Sequence, residues 1–382
     1  MISTKTRTIR YAGYDPGSGF GSLIVTTIIL EDGKIVEKHP ALKLTIPSLI
    51  GSANFAKFTN DRATKTSATL ADVMREGEIA LGYNRKEYFI GPIAESEGTN
   101  TTSAKGALKR YTDIHSRLLF LGMYGSLVAD EESEVRLVTG APMSLFDRDT
   151  RAAIKRNLEG EHPFTLNGRE RIVKVKVGTV TREGVKALSL YGSAKARQGI
   201  IDIGERTTDI GQTDGQTPIN RWCKAEVYGV GKVIDTLINE VRAKYRRSLR
   251  LSEARTILKA YTDERPMPAV KVGKTPIPHE EIIAIIEAAK SSEWNAIDTF
   301  IDATWNEEGT EVGSNLELIL CIGGGAKVWQ KELKNKFPQA IFPQESDLFP
   351  GETEEAILIA NAEAYHNLSF DLEDIDPTIW NG

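Results

Sequence analysis

Residues 202–209 read Asp-Ile-Gly-Glu-Arg-Thr-Thr-Asp and join two runs of strand-like apolar character, 200–203 and 208–213. Asp-Gly at 214–215 then predicts that the chain turns back into a third strand. Glycine in such a turn lets the backbone aim several N–H groups at an anion. Taken alone, the turn is equally compatible with a bare hairpin, because glycine-rich turns are weak signals.

The first half of the chain contains a matching turn. Residues 15–21 read Asp-Pro-Gly-Ser-Gly-Phe-Gly and join strands predicted at 8–14 and 23–30. Asp15 stands where Asp202 stands in the second half, and each is followed two residues later by glycine. Two such turns at matching places can bind a polyphosphate from opposite sides. The pair of turns is therefore a far more specific signal of a phosphate site than either turn alone. Each aspartate, at a strand end, is suited to hold a metal ion through water.

Two further glycine-rich segments precede predicted helices. Tyr-Gly-Val-Gly-Lys occupies 228–232, and Ile-Gly-Gly-Gly-Ala occupies 322–326 at the end of a predicted strand. Glycines allow a flat base or a phosphate to lie against the backbone. Each segment alone is also explained by a plain helix start. A strand on both sides of the first two turns separates them from P-loop and Rossmann sites, in which a helix follows the glycines.

Composition narrows the functional class. The net charge of −5 argues against a chain that coats nucleic acid directly. Cys223 and Cys321 are the two cysteines, and we expect both to be buried reduced thiols without a zinc site. No run of about 18 apolar residues is present to span a membrane, and the basic N-terminus lacks a signal-peptide core. We therefore expect a cytoplasmic protein.

The order of the four segments carries a family resemblance. Asp-x-Gly-Ser, Asp-x-Gly-x-x-Thr-Thr-Asp, Gly-x-Gly before a helix and Gly-Gly-Gly near the C-terminus together resemble the actin, sugar-kinase and chaperone-ATPase superfamily, from Tyr14 to Tyr365. The likeness is greatest to ParM-type bacterial actins, which segregate plasmids. Shorter matches fall in the same order: Ile-Pro-Ser-Leu-Ile-Gly at 46–51, Tyr-Phe-Ile-Gly at 88–91 and Thr-Gly-Ala-Pro at 139–142.

The resemblance implies an α/β actin-like fold, with two related lobes and a nucleotide cleft between them. Each lobe is expected to contain a mixed five-stranded-type sheet flanked by helices. We place the first lobe at 1–182, with a small inserted subdomain near 44–90. The second lobe is placed at 183–366, with its last helix free to return to the first lobe. Residues 367–382 form an acidic C-terminal tail.

By the same resemblance, the two Asp-x-Gly turns bind the phosphates of ATP or GTP, and the two later segments bind the nucleoside. Asp15 and Asp202 are the predicted ligands of Mg²⁺, through water. The predicted nucleotide-binding residues are Asp15, Gly17, Ser18, Gly19, Phe20, Gly21, Gly204, Arg206, Thr207, Thr208, Gly229, Gly231, Gly323, Gly324, Gly325 and Ala326.

Two carboxylates are the candidate catalytic residues. In ParM-like proteins a glutamate at the start of the helix that joins the two halves, and the aspartate of the second turn, are associated with hydrolysis. The matching residues are Glu183, at the start of a helix predicted over 183–196, and Asp202. A carboxylate can orient water for in-line attack on the terminal phosphate. Glu183 is also explained as a residue favoured by the helix dipole.

Two positions depart from the family pattern. Many actins have a lysine shortly after the first turn, where this chain has Ser22. Many relatives have Gly-Gly where this chain has Glu205 and Arg206. Arg206 either replaces the missing positive charge or faces solvent.

The resemblance implies a polymerising protein that couples ATP or GTP hydrolysis to filament assembly. Its expected partners are further copies of itself and a DNA-binding adaptor for plasmid or DNA segregation, with no direct nucleic acid and no membrane. A small-molecule kinase and a regulatory or chaperone ATPase share the fold, which does not separate them. Against these alternatives, the sequence has no obvious sugar-binding loop and no expected peptide-binding domain after Tyr365. The basic residues of 242–250 are better explained as a solvated helix face or a filament contact than as a DNA site.

Overall fold

The computed structural model describes residues 6–103, 109–193, 195–307, 309–344 and 356–372. Contacts divide the chain into two compact units, Met1–Leu190 together with Glu345–Gly382, and Tyr191–Gln344. The division follows Leu190, whereas the sequence placed it after residue 182. Within the described ranges, no helix has both the length and the apolar character needed to cross a bilayer.

The first unit is built on one large sheet. Its strands are β1 (Thr6–Asp15), β2 (Phe20–Glu31), β3 (Lys34–Lys38), β4 (Leu42–Pro47), β5 (Leu49–Ser52), β6 (Ile79–Tyr83), β7 (Lys86–Ile90), β8 (Thr99–Ser103), β9 (Glu132–Ala141), β10 (Gly160–Leu166) and β11 (Arg169–Arg182). Its helices are α1 (Phe55–Arg62), α2 (Leu70–Val73), α3 (Pro92–Glu97), α4 (Lys109–Thr112), α5 (Ile114–Leu127), α6 (Arg148–Leu158), α7 (Leu188–Tyr191) and, from the C-terminal part, α13 (Ala356–Ser369).

The second unit contains a smaller sheet and longer helices. Its strands are β12 (Arg197–Ile203), β13 (Thr208–Asp214), β14 (Thr217–Pro218), β15 (Lys224–Glu226), β16 (Lys271–Val272), β17 (Thr275–Pro276), β18 (Leu318–Ile322) and β19 (Ala340–Ile341). Its helices are α8 (Val230–Tyr245), α9 (Leu251–Thr262), α10 (His279–Trp305), α11 (Gly324–Val328) and α12 (Gln330–Lys336).

The two units share one five-strand arrangement. In the first unit the order is β3-β2-β1-β9-β11, with antiparallel pairs up to β1 and parallel pairs from β1 onward. In the second unit β14-β13-β12-β18-β19 repeats this sequence of antiparallel and parallel pairs. The mixed sheets predicted for each half are therefore confirmed. The first sheet extends further, through β10, β6, β7, β5 and β8, because Thr165 and Leu166 of β10 pair with β6.

Helices cover both faces of the first sheet, and alternate residues of β1 face each side. Tyr14 packs against Phe120 of α5, with ring centroids 5.4 Å apart. Tyr11 faces the opposite side and packs against Phe370, just beyond α13, at 5.2 Å. Gly13 lies against α13 itself, and a Cβ there would overlap the backbone of that helix. β1 is therefore buried on both faces, and the C-terminal helix belongs to the first unit.

The two cysteines lie in the second unit. Cys223 and Cys321 are buried and form no disulfide, as the sequence predicted. Burial raises the pKa of the Cys321 thiol, because a thiolate is poorly solvated in the core. Both thiols therefore act as small core side chains.

His366 makes the stability of the first unit depend on pH. It is 1% exposed in α13, and its Nε2 lies 3.0 Å from Thr26 Oγ1 of β2. Burial lowers the pKa of His366 from 6.5 to about 4. The unfolded chain therefore takes up a proton at higher pH than the folded chain. The contribution of His366 to the free energy of unfolding is fully present above the pKa that this residue has in the unfolded chain. It is lost as the pH falls toward the pKa of His366 in the folded chain.

We expect the free energy of unfolding to fall by about 2 kcal/mol from this residue between pH 7.5 and pH 5. His366→Gln, which does not titrate and keeps a hydrogen-bonding group near Thr26, should remove that part of the pH dependence in urea unfolding. His39→Gln, at an exposed histidine of the same unit, is the matched control. Equal pH dependence in His366→Gln and wild type would contradict the prediction.

Candidate functional site

The first Asp-x-Gly turn is held in place by Ser48. Asp15 ends β1 and pairs with Ser22 of β2, with the turn between them. Ser48, buried between β4 and β5, donates its hydroxyl to the Gly17 carbonyl at 2.5 Å. Its N–H donates to the Gly19 carbonyl at 2.9 Å. The Pro-Ser segment, noted in the sequence as a family likeness, thus fixes the shape of the turn.

Gly17 and Gly21 of this turn are closely packed, and the Ser18 hydroxyl is available to a ligand. A Cβ on Gly17 would overlap the Phe20 carbonyl, and one on Gly21 would lie 2.7 Å from Leu119 Cδ2 of α5. Ser18 is 4% exposed, and its Oγ has no hydrogen-bond partner within the described residues. Buried hydroxyls normally have a partner, so this one is suited to a ligand.

Glu183 lies at the same edge of the sheet. Its N–H donates to the Ala141 carbonyl at 2.9 Å, which continues the parallel pairing of β9 and β11 by one residue. Because β1, β9 and β11 are parallel neighbours, their carboxyl ends meet at one edge, where Asp15 and Glu183 both lie, with β9 between their strands. Ligands of open α/β sheets bind outside the carboxyl ends of such strands.

The helix predicted over 183–196 is wrong. Glu183 follows directly after β11, and the next residue, Gly184, has φ +75°, which ends regular structure there. The Gly184 N–H donates to Asn361 Oδ1 of α13 at 3.0 Å. Helical structure is confined to the four residues of α7, so no helix dipole acts on Glu183 in the described chain. The helix-dipole explanation of Glu183 is thereby removed.

In the second unit, the Asp-x-Gly turn is packed against the start of α8. The Gly204 N–H donates to the Thr207 carbonyl at 2.9 Å, which closes the turn. The Val230 N–H donates to the Gly204 carbonyl at 3.2 Å, and the Gly231 N–H donates to the Glu205 carbonyl at 2.7 Å. A Cβ on Gly229 would lie 2.6 Å from the Gly204 carbonyl oxygen. Glycine is therefore needed at 229 because two backbones touch.

The triple glycine packs against the same strand end. Gly323 follows β18 with φ +82°, and a Cβ there would lie 2.5 Å from the Ile203 carbonyl oxygen and 2.6 Å from Asp202 Oδ1. A Cβ on Gly325 would overlap the Ile203 side chain. Ala326, fully buried, donates its N–H to the Gly323 carbonyl at 3.1 Å. The Asp202 carboxylate therefore lies against bare backbone.

Other predicted residues of this unit are placed as follows. Thr207 and Thr208 are buried, and the Thr208 hydroxyl donates to the Tyr228 carbonyl at 3.1 Å. Arg206 is part-exposed, with its guanidinium 3.5 Å from the Asp235 carboxylate of α8. Such an exposed pair contributes little to stability, so Arg206 is only weakly held. Its contact with phosphate stays a prediction.

The structure thus brings three segments that are distant in sequence to one strand end within the second unit. Residues 202–208, 229–231 and 323–326 touch one another there, while 15–21 and Glu183 share one sheet edge in the first unit. The sequence did not predict that Ser48 and Glu205 shape these turns, nor that Arg255 of α9 binds the Glu205 carboxylate. The described residues contain no cluster of three or more His, Cys, Asp or Glu suited to a metal ion. The Mg²⁺ prediction therefore depends on Asp15 and Asp202.

Comparison with known proteins gives one family match. The family described as the N-terminal domain of actin-like proteins matches residues 32–185. No curated protein is similar enough in sequence to match the chain.

Solved structures resemble nearly the whole chain. An archaeal actin homologue is 17% identical with a TM-score of 0.68, and the match covers 96% of this chain and 100% of the other. ParM of Bacillus thuringiensis with AMPPNP is 15% identical with a TM-score of 0.62, covering 95% and 98%. The apo ParM protein of psk41 is 16% identical with a TM-score of 0.59, covering 96% and 98%.

These matches confirm the fold and the resemblance that the order of motifs predicted. At such low sequence identity the solved structures show only the fold, and the family match applies only to residues 32–185. The chain therefore matches the family of actin-like N-terminal domains over residues 32–185, has an actin-like fold over nearly its whole length, and is similar to ParM-type proteins.

Proposed function

We propose that the chain is a cytoplasmic nucleotidase that binds ATP or GTP with Mg²⁺, hydrolyses it and assembles into filaments. The observation that carries the nucleotide part is the close packing in the second unit, where Gly229, Gly323 and Gly325 leave no room for a Cβ. Glycine backbone at strand ends and helix starts suits phosphates and a flat nucleoside. Solved structures of the same fold support this choice, since the archaeal actin homologue has been solved with ADP and ParM of Bacillus thuringiensis with AMPPNP.

The first unit contains a polar group that is suited to a phosphate. Ser18 Oγ is buried without a partner in the described chain, and a phosphate oxygen is a suitable acceptor for it. Asp15 and Asp202, each at or near a strand end, supply the oxygen ligands that Mg²⁺ prefers, through water. When bound, Mg²⁺ would offset the negative charge of the phosphates. Glu183 would orient the attacking water and accept its proton.

Filament assembly is proposed from the structural similarity of this chain to ParM proteins. The similar ParM structures include a non-polymerisable quadruple mutant of pCBH ParM, which implies that the parent protein polymerises. A head-to-tail contact that does not close gives an open helical polymer. A DNA-binding adaptor would then link such a filament to plasmid or other DNA. A small-molecule kinase or regulatory ATPase of the same fold is the alternative.

We expect Ser18→Ala to weaken nucleotide binding by about 3- to 10-fold without lowering the stability of the free protein. Among the described residues the hydroxyl has no hydrogen-bond partner to lose, but it gains one with ligand. Calorimetry with ATP and GTP, with Mg²⁺ and with chelator, measures binding, and thermal unfolding measures stability. Ser48→Ala is the contrast, because it removes a bond within the turn and should lower both. Unchanged affinity in Ser18→Ala, or chelator-insensitive binding, would contradict the assigned roles.

We expect Glu183→Gln to slow phosphate release by about 100-fold or more while the nucleotide dissociation constant stays nearly unchanged. The amide keeps the size of the side chain but cannot accept a proton from water, which affects mainly the transition state. Glu161→Gln, at an exposed glutamate of β10, is the control. A Glu183→Gln variant that releases phosphate at the wild-type rate would exclude Glu183 from hydrolysis.

We expect ATP or GTP, or a non-hydrolysable analogue, to drive the protein into the pellet in sedimentation, with filaments visible by electron microscopy. Hydrolysis should then return it to the supernatant, because loss of the terminal phosphate weakens the contact between copies. Glu183→Gln should form longer-lived filaments than wild type. A protein that binds nucleotide but stays monomeric at high concentration in every state would favour the kinase or regulatory ATPase.

A further inference from the structure

Glu205, in the second Asp-x-Gly turn, forms a buried ion pair with Arg255 of α9. The Arg255 guanidinium donates from Nε to Oε2 at 2.9 Å and from Nη2 to Oε1 at 2.8 Å. The two side chains are 10% and 8% exposed, for Arg255 and Glu205 respectively. Two parallel hydrogen bonds between planar groups are the strongest geometry for such a pair.

The main chain of Glu205 is fixed as firmly as its side chain. Its carbonyl accepts the Gly231 N–H at 2.7 Å, and a Cβ on Gly229 or Gly231 would lie within 2.8 Å of that carbonyl oxygen. Residue 205 therefore touches the start of α8 through its backbone and α9 through its carboxylate. Because of this, the carboxylate cannot move far from the turn.

A carboxylate at this place is an electrostatic obstacle for the proposed ligand. Glu205 directly follows Gly204, in the turn that the proposed function assigns to phosphate binding. A negative charge close to a polyphosphate in a poorly solvated site raises the free energy of the complex. The nearby positive charge of Arg206 is part-exposed and lies 3.5 Å from Asp235, so solvent and that carboxylate weaken its effect.

We propose that Arg255 is a positioning residue that neutralises Glu205 and thereby makes an acidic second turn compatible with phosphate. The inference rests on the proposed function and deepens it by naming the residue that sets the charge of that turn. Arg255 acts through Glu205 and does not itself touch the nucleotide. The cost of losing Arg255 then grows with the negative charge of the ligand.

The test measures binding of the nucleoside, its diphosphate and its triphosphate, for the base that the wild type prefers. Arg255→Met keeps the length of the side chain and should weaken triphosphate binding by at least 10-fold, diphosphate binding less, and nucleoside binding hardly at all. The double variant Glu205→Gln with Arg255→Met should bind triphosphate within about 3-fold of wild type. Lys259→Met, at an exposed lysine of the same helix, is the matched control.

Each result of these binding measurements either supports or overturns the proposed role of Arg255. Equal losses for all three ligands would show that Arg255 only supports the fold, and a double variant as weak as Arg255→Met would show that Arg255 contacts phosphate itself. Either result overturns the inference while leaving nucleotide binding by the wild type intact. A wild type that binds none of the ligands refutes the proposed function instead, and the inference with it. If Arg255→Met fails to fold, the double variant, which has no unpaired buried charge, decides alone.

Discussion

The close approach of backbones at the end of β12 is the constraint on which the candidate site depends. Gly323 lies so near the Ile203 carbonyl and the Asp202 carboxylate that any side chain would displace them. The same holds for Gly229 against Gly204. Because the Ile203 and Gly204 carbonyls are main-chain groups, they cannot adjust as a flexible side chain would. Asp202 is therefore presented beside bare backbone, which is the surface that an anionic ligand needs.

The two units repeat one sheet arrangement but support their turns by different means. In the first unit Ser48 satisfies two carbonyls of the turn, and α5 packs behind it at Gly21. In the second unit the N–H groups at the start of α8 donate to the carbonyls of the turn, and Arg255 of α9 forms an ion pair with Glu205. The duplication therefore extends to strand order and direction, while the contacts that stiffen each turn are individual to it.

The two departures from the family pattern have local explanations in the structure. Ser22, where many actins carry lysine, is 3% exposed, and its hydroxyl lies 3.2 Å from Thr45 Oγ1 across the pairing of β2 with β4. A lysine there would need room that this strand pair does not offer. Glu205, where many relatives carry glycine, finds its partner in Arg255. Compared with actins that carry lysine at the position of Ser22, this chain lacks one positive charge near the first turn. Near the second turn it carries Glu205, whose negative charge is neutralised by Arg255.

Sequence alone determined the order of the motifs, the hairpins and the positions where glycine is required. These features are local, since strand periodicity, Asp-Gly turns and a missing Cβ each act over a few residues. They were sufficient to predict two mixed sheets and to select residues that the fold brings together within each unit. The helix predicted over 183–196 was wrong, because the pairing of β11 with β9 and the positive φ of Gly184 override a helical pattern.

Only the tertiary structure decided which residues support the site. Ser48 lies 31 residues from Gly17, and Arg255 lies 50 residues from Glu205. α13 closes the first unit from the far end of the chain, with His366 against Thr26 across 340 residues. No periodicity links such partners, because they meet only when sheets and helices pack. The sequence therefore specified the chemical groups of the site, and long-range packing specified what holds them in place.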